Sequence, residues 1–142
     1  MPVSPAAPIR VLLADDHAVV RAGIRQFLAR AAGVQVVAEA GDGLTAQTLI
    51  AQHQPDVVVL DIQMPGASGI EVTRWVRARY PQMGVLILTA YDEDPYVLAV
   101  LQAGANGFVL KTAAPNEIGR AVREVAQGRA ILDPAIAQKL LA

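Results

Sequence analysis

The chain contains no cysteine, which removes disulfides, thiolate metal ligands and thiol nucleophiles from consideration together. It also has no excess of positive charge, because 12 Lys and Arg residues face 13 Asp and Glu residues for a formal net charge of -1. The electrostatics of a nucleic-acid binder are therefore missing, and a DNA-binding role would need a part of the protein outside these residues. No apolar run approaches the ~20 residues that span a bilayer, so we expect no membrane partner and a cytoplasmic location.

The composition is that of a globular domain. Hydrophobic residues make up 54% of the 142 residues and charged residues 18%, which supplies enough apolar surface for one core and argues against disorder. The first eight residues, MPVSPAAP, carry neither the charge nor the apolar core of a signal peptide. We expect residues 1–8 to form a loose tail and residues 9–128 to form one folded domain.

Five short apolar runs alternate with five helical patterns along the chain. The runs predict strands at 9–14, 34–40, 57–60, 85–88 and 108–110. Strands that alternate with helices form a parallel sheet with helices on both faces, so we predict a doubly wound α/β fold with five parallel strands. The second run alternates between apolar and more polar positions, which is typical of an edge strand with one wetter face.

The helical patterns carry start signals and apolar stripes. Asp16 is predicted to cap the first helix, at 17–30, and Ser68 with Glu71 has the spacing of a capping box for the third helix. The residues expected to face the core are Val20, Ile24, Phe27, Leu28 and Ala31 in the first helix and Leu44, Thr48, Leu49 and Ala51 in the second. Each helix should therefore bury one side against the sheet.

Polar residues follow four of the five predicted strands. They are Asp15 with Asp16 after the first, Asp61 after the third, Thr89 after the fourth and Lys111 after the fifth. Each has an ordinary interpretation by itself, as a turn residue, a helix cap, a strand former or a solvated surface charge. Their succession is informative because the carboxyl ends of parallel strands share the edge where ligands bind. We therefore predict that these side chains converge into one site.

The chemistry of such a site follows from its charges. Three carboxylates need a cation among them, since each like-charge pair at 4 Å costs up to ~4 kcal/mol at an effective dielectric of 20. Oxygen ligands in an incomplete set, with no histidine or cysteine expected nearby, favour Mg²⁺ completed by water. An ionised Asp61 needs no general base to act as a nucleophile, so aspartyl phosphate is the expected product. Lys111 would stabilise the phosphoryl oxygens, and the Thr89 hydroxyl would donate to one of them.

Four segments resemble the receiver domain of two-component response regulators: LADDH at 13–17, LDIQMPG at 60–66, LTA at 88–90 and GFVLK at 107–111. The resemblance covers residues 9 to about 128 and implies a flavodoxin-like three-layer sandwich. The roles it implies are Asp61 as phosphoacceptor, Asp16, Asp61 and the backbone carbonyl of Gln63 as Mg²⁺ ligands, Asp15 as a ligand through water, Thr89 and Phe108 as the switch pair, and Lys111 as the phosphate contact. Thr112 departs from the family, in which Pro commonly follows this lysine with a cis bond, so the geometry of the bond between Lys111 and Thr112 is left open.

A finer resemblance connects the chain with NarL/FixJ (LuxR-type) regulators, through ADDH at 14–17, GANGFVLK at 104–111 and GRAILDP at 128–134. Members of this subfamily usually continue into a helix-turn-helix domain, so residues 129–142 are expected to begin a linker helix that Asp133 and Pro134 open. The resemblance implies a phosphorylation-controlled signalling switch with a sensor histidine kinase as phosphodonor and a homodimer on phosphorylation. It implies DNA binding only through an absent C-terminal domain. A natural single-domain receiver is the open alternative.

Three rival functions fit the residues less well. Haloacid-dehalogenase-like phosphohydrolases also combine an Asp nucleophile with Mg²⁺, Thr and Lys, but they need a second Asp two residues after the nucleophile, where this chain has Gln63. A dinucleotide-binding module needs a Gly-rich turn after the first strand, where this chain has Asp15, Asp16 and His17. A receiver-like interaction module that is never phosphorylated would lack part of the acidic set, and none of it is missing. We therefore expect no conventional enzyme, only a domain that catalyses its own phosphoryl acceptance and loss.

Overall fold

The computed structural model describes residues 7–90 and 94–132, with the backbone only for residues 94–97. Within them, six parallel strands lie in the order β2-β1-β3-β4-β5-β6. The strands are β1 (Ile9–Ala14), β2 (Val34–Ala40), β3 (Val57–Leu60), β4 (Gly84–Thr89), β5 (Gly107–Leu110) and β6 (Ile131–Leu132). The helices are α1 (Ala18–Arg30), α2 (Gly43–His53), α3 (Gly69–Arg79), α4 (Asp94–Ala103) and α5 (Pro115–Ala126). The predicted alternation of strands with helices is confirmed.

The sheet divides the hydrophobic core into two layers. Helices α2, α3 and α4 cover one face, with Ile50 and Val76 among its buried residues. Helices α1 and α5 cover the other face, with Leu28 and Val122 among its buried residues. Strand β3 is buried along its whole length, as its continuous apolar sequence predicted, and β2 lies at an edge, as its alternation predicted. The predicted doubly wound three-layer fold is confirmed.

The sixth strand corrects the prediction of five. Ile131 and Leu132 pair in parallel with Gly107 and Phe108 of β5. Two apolar residues are too few to show a periodicity of 2 or 3.6, so the sequence pattern did not reveal them as a strand. The sheet therefore continues beyond Gly128.

The start of α1 also differs from the prediction. His17 is the N-cap residue and makes no side-chain cap bond, so the prediction that Asp16 caps this helix is wrong. The backbone N–H of His17 donates to Oδ1 of Asp15 at 2.8 Å. Oδ1 of Asp16 lies 3.1 Å from Nδ1 of His17. The Asp16 carboxylate therefore faces the imidazole ring of His17 and does not cap the first turn of α1.

The buried sides of α1 and α2 are narrower than the predicted stripes. The buried apolar side chains are Ile24 and Leu28 in α1 and Ala46 and Ile50 in α2. Phe27 is 40% exposed and Leu44 is 58% exposed, so the prediction that they face the core is wrong, and it is also wrong for the exposed residues Val20, Thr48 and Ala51. Ala46 is fully buried, and its small size allows α2 to approach the sheet closely. Leu44 is left to pack against the loop after β3, where a Cβ on Gly66 would lie 3.1 Å from its Cγ.

Two other helix starts have side-chain caps, of which the one at α3 was predicted. The predicted capping box of α3 is confirmed, because Ser68 Oγ accepts from Glu71 N–H at 3.1 Å and Glu71 Oε1 accepts from Ser68 N–H at 3.2 Å. At the start of α2, Oδ1 of Asp42 accepts from Thr45 N–H at 2.7 Å. The hydrogen bonds from Thr45 hold the pKa of Asp42 below its ordinary value.

Both chain ends extend past the described residues. The linker helix predicted to open at Asp133 and Pro134 lies outside them, as do residues 1–6 of the predicted tail. Ala7 and Pro8 are exposed. Among the described helices, none combines the length and the apolar character that crossing a membrane requires.

Candidate functional site

Strand register places the predicted polar residues at one edge of the sheet. The backbone N–H of Asp61 donates to the carbonyl of Ala14 at 3.0 Å, so Asp61 and Asp15 follow neighbouring strand ends. The backbone N–H of Lys111 donates to the carbonyl of Thr89 at 2.7 Å, so Lys111 directly follows the end of the β4–β5 ladder, next to Thr89. The acidic and basic residues therefore meet at the carboxyl edge.

Asp61 is held in one orientation by its neighbours. It is only 7% exposed. Its Oδ1 accepts from the backbone N–H of Ile62 at 2.7 Å, and its Oδ2 accepts from Nζ of Lys111 at 3.0 Å. A Cβ on Gly69 would lie 2.2 Å from the Asp61 carbonyl oxygen, so the start of α3 packs directly against the Asp61 backbone. The carboxylate is thus oriented through its side chain and through its main chain.

Lys111 supplies the positive charge between two buried acids. Its Nζ lies 2.5 Å from Oδ2 of Asp15 and 3.0 Å from Oδ2 of Asp61, and its side chain is 14% exposed. Burial acts to lower the pKa of Lys111, but hydrogen bonds and charge attraction from Asp15 and Asp61 outweigh it and hold that pKa above its ordinary value. Lys111 is therefore a cation over the whole physiological pH range.

The acid pair lies beside a histidine that the sequence interpretation overlooked. Asp15 is 1% exposed, whereas the Asp16 side chain is 30% exposed. Nδ1 of His17 lies 3.1 Å from Oδ1 of Asp16 and 3.6 Å from Oδ1 of Asp15. The expectation of no nearby histidine is wrong, because the turn before α1 folds the imidazole back over the two carboxylates. The signal was present in the sequence, since His17 directly follows the acid pair.

The donor atoms fit a divalent cation. Ligand atoms of Asp15, Asp16, His17 and Asp61 all lie within 4.8 Å of one another, which makes them a candidate metal cluster in the part of the chain that the structure describes. Three carboxylates around one lysine leave an excess of negative charge, and carboxylate oxygens are the ligands that Mg²⁺ prefers. The residues present therefore fit the expected Mg²⁺, although the ligand role of each stays a prediction.

The predicted switch pair lies inside the sheet. Thr89 and Phe108 are both 0% exposed. Phe108 belongs to the core layer under α2, α3 and α4, where it pairs in register with Ile87 of β4. The described residues contain no cis peptide bond, so the bond between Lys111 and Thr112 is trans. The site thus has the strand-end arrangement that the sequence suggested. The peptide bond before Thr112, the residue that departs from the family pattern, is trans.

The family model of the response regulator receiver domain matches residues 11–123. The chain belongs to the response regulator receiver domain family. It is 38% identical over 133 residues to the transcriptional regulatory protein DegU of Brevibacillus brevis, covering 94% of this chain and 56% of that protein. It is 41% identical over 132 residues to the response regulator GacA of Pseudomonas aeruginosa, covering 93% of this chain and 62% of that protein.

Solved structures support the same assignment and its subfamily. A two-component response regulator of the LuxR family from Aurantimonas sp. SI85-9A1 is similar with a TM-score of 0.89 and 38% identity, over 94% of this chain and 96% of that chain. The signal receiver domain of the putative response regulator NarL from Mycobacterium tuberculosis is similar with a TM-score of 0.82 and 43% identity, over 86% and 98% of the two chains. The resemblance to the NarL/FixJ (LuxR-type) subfamily is confirmed, and this receiver domain spans 56% and 62% of the length of the two curated relatives above.

An open cleft of about 480 Å³ adjoins the acid cluster of this receiver domain. Its lining residues are Asp16, Ile62, Gln63, Met64, Pro65, Ser68 and Ile70. The predicted ligand position at Gln63 therefore lies on the wall of a cleft that begins at Asp16. The cleft opens beside Asp16, the more exposed acid of the pair.

Two further residues contribute to the site without a sequence signal. Gly69 adjoins the carbonyl of Asp61, and Nη1 of Arg21 donates to the carbonyl of Asp15 at 2.6 Å. Neither contact follows a local motif, because a glycine after a helix cap and an arginine on a helix have many ordinary roles. They become visible only when the strand ends and helix starts are placed together.

Proposed function

We propose that this receiver domain accepts a phosphoryl group on Asp61 and acts as the phosphorylation-controlled switch of a longer transcription regulator. The observation that carries the proposal is the carboxylate of Asp61, which is almost buried, hydrogen-bonded to Ile62 and Lys111, and grouped with Asp15 and Asp16. A surface aspartate in a turn would need none of these partners. Membership of the receiver family supports the same chemistry.

In the proposed reaction, a carboxylate oxygen of Asp61 attacks the phosphorus of a phosphohistidine on a sensor histidine kinase. The new oxygen–phosphorus bond forms as the phosphorus–nitrogen bond breaks, and the bonding electrons return to the imidazole nitrogen of the kinase. Lys111 is already 3.0 Å from Asp61 and would donate to a phosphoryl oxygen, with the hydroxyl of Thr89 donating to another. Response regulators as a class pair with histidine kinases, so the donor is a kinase of that class.

We propose that Asp16, Asp61 and the backbone carbonyl of Gln63 hold Mg²⁺ directly, with Asp15 bound through water. The Lys111 contacts support this division, because its Nζ lies closer to Asp15, at 2.5 Å, than to Asp61, at 3.0 Å, so Asp15 is the more closely paired acid. The greater exposure of Asp16 and its place on the cleft leave it open to a metal ion. Mg²⁺ held by these residues would supply positive charge that stabilises the phosphoryl oxygens during transfer.

The test is covalent labelling of Asp61. Incubation with Mg²⁺ and acetyl phosphate should add one acid-stable, base-labile phosphoryl group to the wild-type chain, measured by intact-mass spectrometry. Asp61→Asn should abolish the adduct. Asp56→Asn is the matched control, because Asp56 is an exposed carboxylate at the opposite end of β3, where its Oδ2 accepts from the backbone of Arg10. An adduct that persists in Asp61→Asn would refute the proposal, and so would its loss in Asp56→Asn alone.

We propose that the chain after β6 leads into a linker to a DNA-binding domain and that phosphorylation strengthens a homodimer of the receiver. The transcriptional regulatory protein DegU is a relative, which supports a transcriptional output, and a similar solved structure contains two RcsB dimers bound to two parallel DNAs. The isolated chain should not shift DNA in an electrophoretic assay at physiological salt, because its formal net charge is -1. Sedimentation should show more dimer after phosphorylation, and equal sedimentation of both forms would contradict the dimer.

The enzyme alternative has a specific difficulty. A phosphohydrolase of the haloacid-dehalogenase type needs an acid two residues after the nucleophile, and Gln63 occupies that position. We propose that the domain turns over only its own phosphoryl group and works in the cytoplasm with its kinase. Steady release of phosphate from a small phosphomonoester would contradict this proposal.

A further inference from the structure

Arg21 contacts the peptide that joins the two acids of the site. Its Nη1 donates to the carbonyl oxygen of Asp15 at 2.6 Å. The Asp15 backbone N–H is already bound to the carbonyl of Ala40 at 3.0 Å, so both polar groups of the Asp15 main chain have partners. The Asp15 carbonyl belongs to the planar peptide unit that continues into Asp16. A hydrogen bond at this oxygen therefore constrains the position from which the Asp16 side chain leaves the turn.

The Arg21 guanidinium is itself held by an acid of the edge strand. Nε of Arg21 lies 3.4 Å from Oε1 of Glu39, and Nε of Arg25 lies 3.2 Å from Oε2 of the same carboxylate. Glu39 pairs in register with Leu13 of β1, so it lies next to the strand that leads into the acid pair. A Cβ on Gly41 would lie 3.2 Å from Nη1 of Arg21, which shows how closely the guanidinium passes over the β2 end.

Asp16 needs such support more than Asp15 does. The carboxylate of Asp15 is buried between the backbone N–H of His17 and the ammonium group of Lys111. The side chain of Asp16 is 30% exposed, and its close contact with Nδ1 of His17, at 3.1 Å, comes from a side chain that is 70% exposed. The backbone of the turn therefore has to carry most of the positioning of Asp16. Arg21 provides a fixed donor to that backbone from a partly buried side chain.

We propose that Arg21 is a positioning residue for the Mg²⁺-binding acid pair, with Glu39 holding its guanidinium in place. This inference rests on the proposed function of the site. The Arg21 guanidinium bridges the Asp15 carbonyl, through a hydrogen bond from Nη1, and the Glu39 carboxylate, through an ion pair at Nε, and the single nitrogen of an ammonium group cannot reproduce that bridge. Groups behind metal ligands orient the ligands, and their loss commonly weakens metal binding by about 10–100-fold.

The test compares Arg21→Gln with Arg25→Gln in the full chain. Both variants remove one arginine from Glu39, but only Arg21→Gln removes the donor to Asp15. Calorimetry should show Mg²⁺ affinity about tenfold weaker for Arg21→Gln and unchanged for Arg25→Gln. Arg21→Lys keeps the charge without the bridge and should stay weakened. Full affinity in Arg21→Lys would show that charge alone suffices and would overturn the proposal.

A second readout needs no metal. In the metal-free protein, the His17 amide should exchange its hydrogen faster in Arg21→Gln than in Arg25→Gln, because its acceptor is Oδ1 of Asp15. Faster exchange over the whole sheet would indicate a general loss of stability and would contradict a positioning role. If Arg21→Gln does not fold, Glu39→Gln provides the test, with weaker Mg²⁺ binding expected and unchanged binding refuting the proposal.

The wild-type chain separates this inference from the proposed function. A wild type that binds no Mg²⁺ and forms no adduct on Asp61 would refute the proposed function. A wild type that does both, with Arg21→Gln binding Mg²⁺ equally well, would refute only the positioning role of Arg21.

Discussion

Nζ of Lys111 lies 3.0 Å from Oδ2 of Asp61, although 50 residues separate the two in the chain. The same ammonium group contacts Asp15, so one cation serves two nearly buried carboxylates from different strands. This arrangement leaves the site with more negative than positive charge once Asp16 is included. A second cation is therefore favoured at the edge of the sheet, which is the electrostatic basis of the expected Mg²⁺ site.

The first prediction concerns the charge of Lys111. Lys111→Met should lower the free energy of unfolding by about 2 kcal/mol without Mg²⁺, because Asp15 and Asp61 lose a charged hydrogen-bond partner. Mg²⁺ should then raise the melting temperature of the variant more than that of the wild type, since a bound cation replaces the missing charge. Lys111→Arg keeps the charge and is the control. Equal Mg²⁺-induced shifts in wild type and Lys111→Met, measured by calorimetric melting, would contradict this account.

The second prediction concerns metal selectivity at the acid cluster. Asp16→Ala should weaken Mg²⁺ and Ni²⁺ binding alike, on the order of tenfold, because it removes an oxygen ligand. His17→Ala should weaken Ni²⁺ binding while leaving Mg²⁺ binding nearly unchanged, because an imidazole nitrogen suits Ni²⁺ and Mg²⁺ prefers oxygen. Titration calorimetry with each metal measures both effects. Equal loss of both metals in His17→Ala would show that the ring acts through Asp16 and not as a ligand.

The third prediction uses two glycines at helical positions. Gly69→Ala should destabilise the fold by about 2 kcal/mol and slow phosphorylation of Asp61, because the added Cβ would lie 2.2 Å from the Asp61 carbonyl oxygen. Gly23→Ala is the matched control within α1, where a Cβ meets nothing within 4 Å. That variant should gain about 0.8 kcal/mol from helix propensity. Urea unfolding measures the change in the free energy of unfolding for both variants. A Gly69→Ala variant as stable as the wild type would contradict the close packing.

The fourth prediction concerns the switch pair. After phosphorylation, Asp61 has lost one negative charge and the phosphoryl group adds about -2, so the site gains about -1 and three acceptor oxygens. We expect Thr89 to move toward these oxygens. Phe108 is already fully buried, so its ring should change its packing and not its exposure. NMR with beryllofluoride should show shift changes concentrated between Thr89 and Lys111, and changes limited to the neighbours of Asp61 would refute the coupling.

The fifth prediction concerns acid stability at the start of α2. Hydrogen bonds from Thr45 hold the pKa of Asp42 below its ordinary value, so this carboxylate stabilises the fold above that value, 3.8. The stabilisation should disappear as the pH falls through the lowered pKa. The wild type should therefore have a higher melting temperature than Asp42→Asn at pH 7. The two melting temperatures should converge at a pH below the ordinary pKa range of carboxylates. Ser68→Ala removes a cap that does not titrate, so the melting difference between wild type and this variant should be far less pH-dependent.

Much of this architecture could be predicted because its signals are local. The continuous apolar run that ends at Asp61 predicted a buried central strand, and the alternating second run predicted an edge strand; both predictions are confirmed. The capping box of Ser68 and Glu71 was also predicted correctly, because it depends on residues three apart. The sixth strand was missed, since Ile131 and Leu132 are too few to show a period.

The wrong predictions concern side-chain direction. Helical spacing predicts Leu44 in the core, but the small Ala46 occupies the buried side of α2 and Leu44 is exposed. Asp16 was assigned as a helix cap, but the chain turns so that Asp16 faces His17. Spacing indicates which residues share a side of a helix, whereas the packing of the whole helix on the sheet decides which side is buried.

The sequence by itself determined the order of strands and helices along the chain and the kind of chemistry at the strand ends. Both signals are local, because each apolar run and the polar residue that ends it are adjacent in the chain. Only the tertiary structure decided which of those groups became partners. The ammonium group of Lys111 joins Asp15 to Asp61, Arg21 supports the peptide after Asp15, and Gly69 adjoins the Asp61 backbone. The Lys111 contacts depend on strand register, and the Gly69 contact depends on how closely α3 approaches the sheet. The Arg21 contact depends on the path of the turn into α1. No local pattern in the sequence encodes these distances.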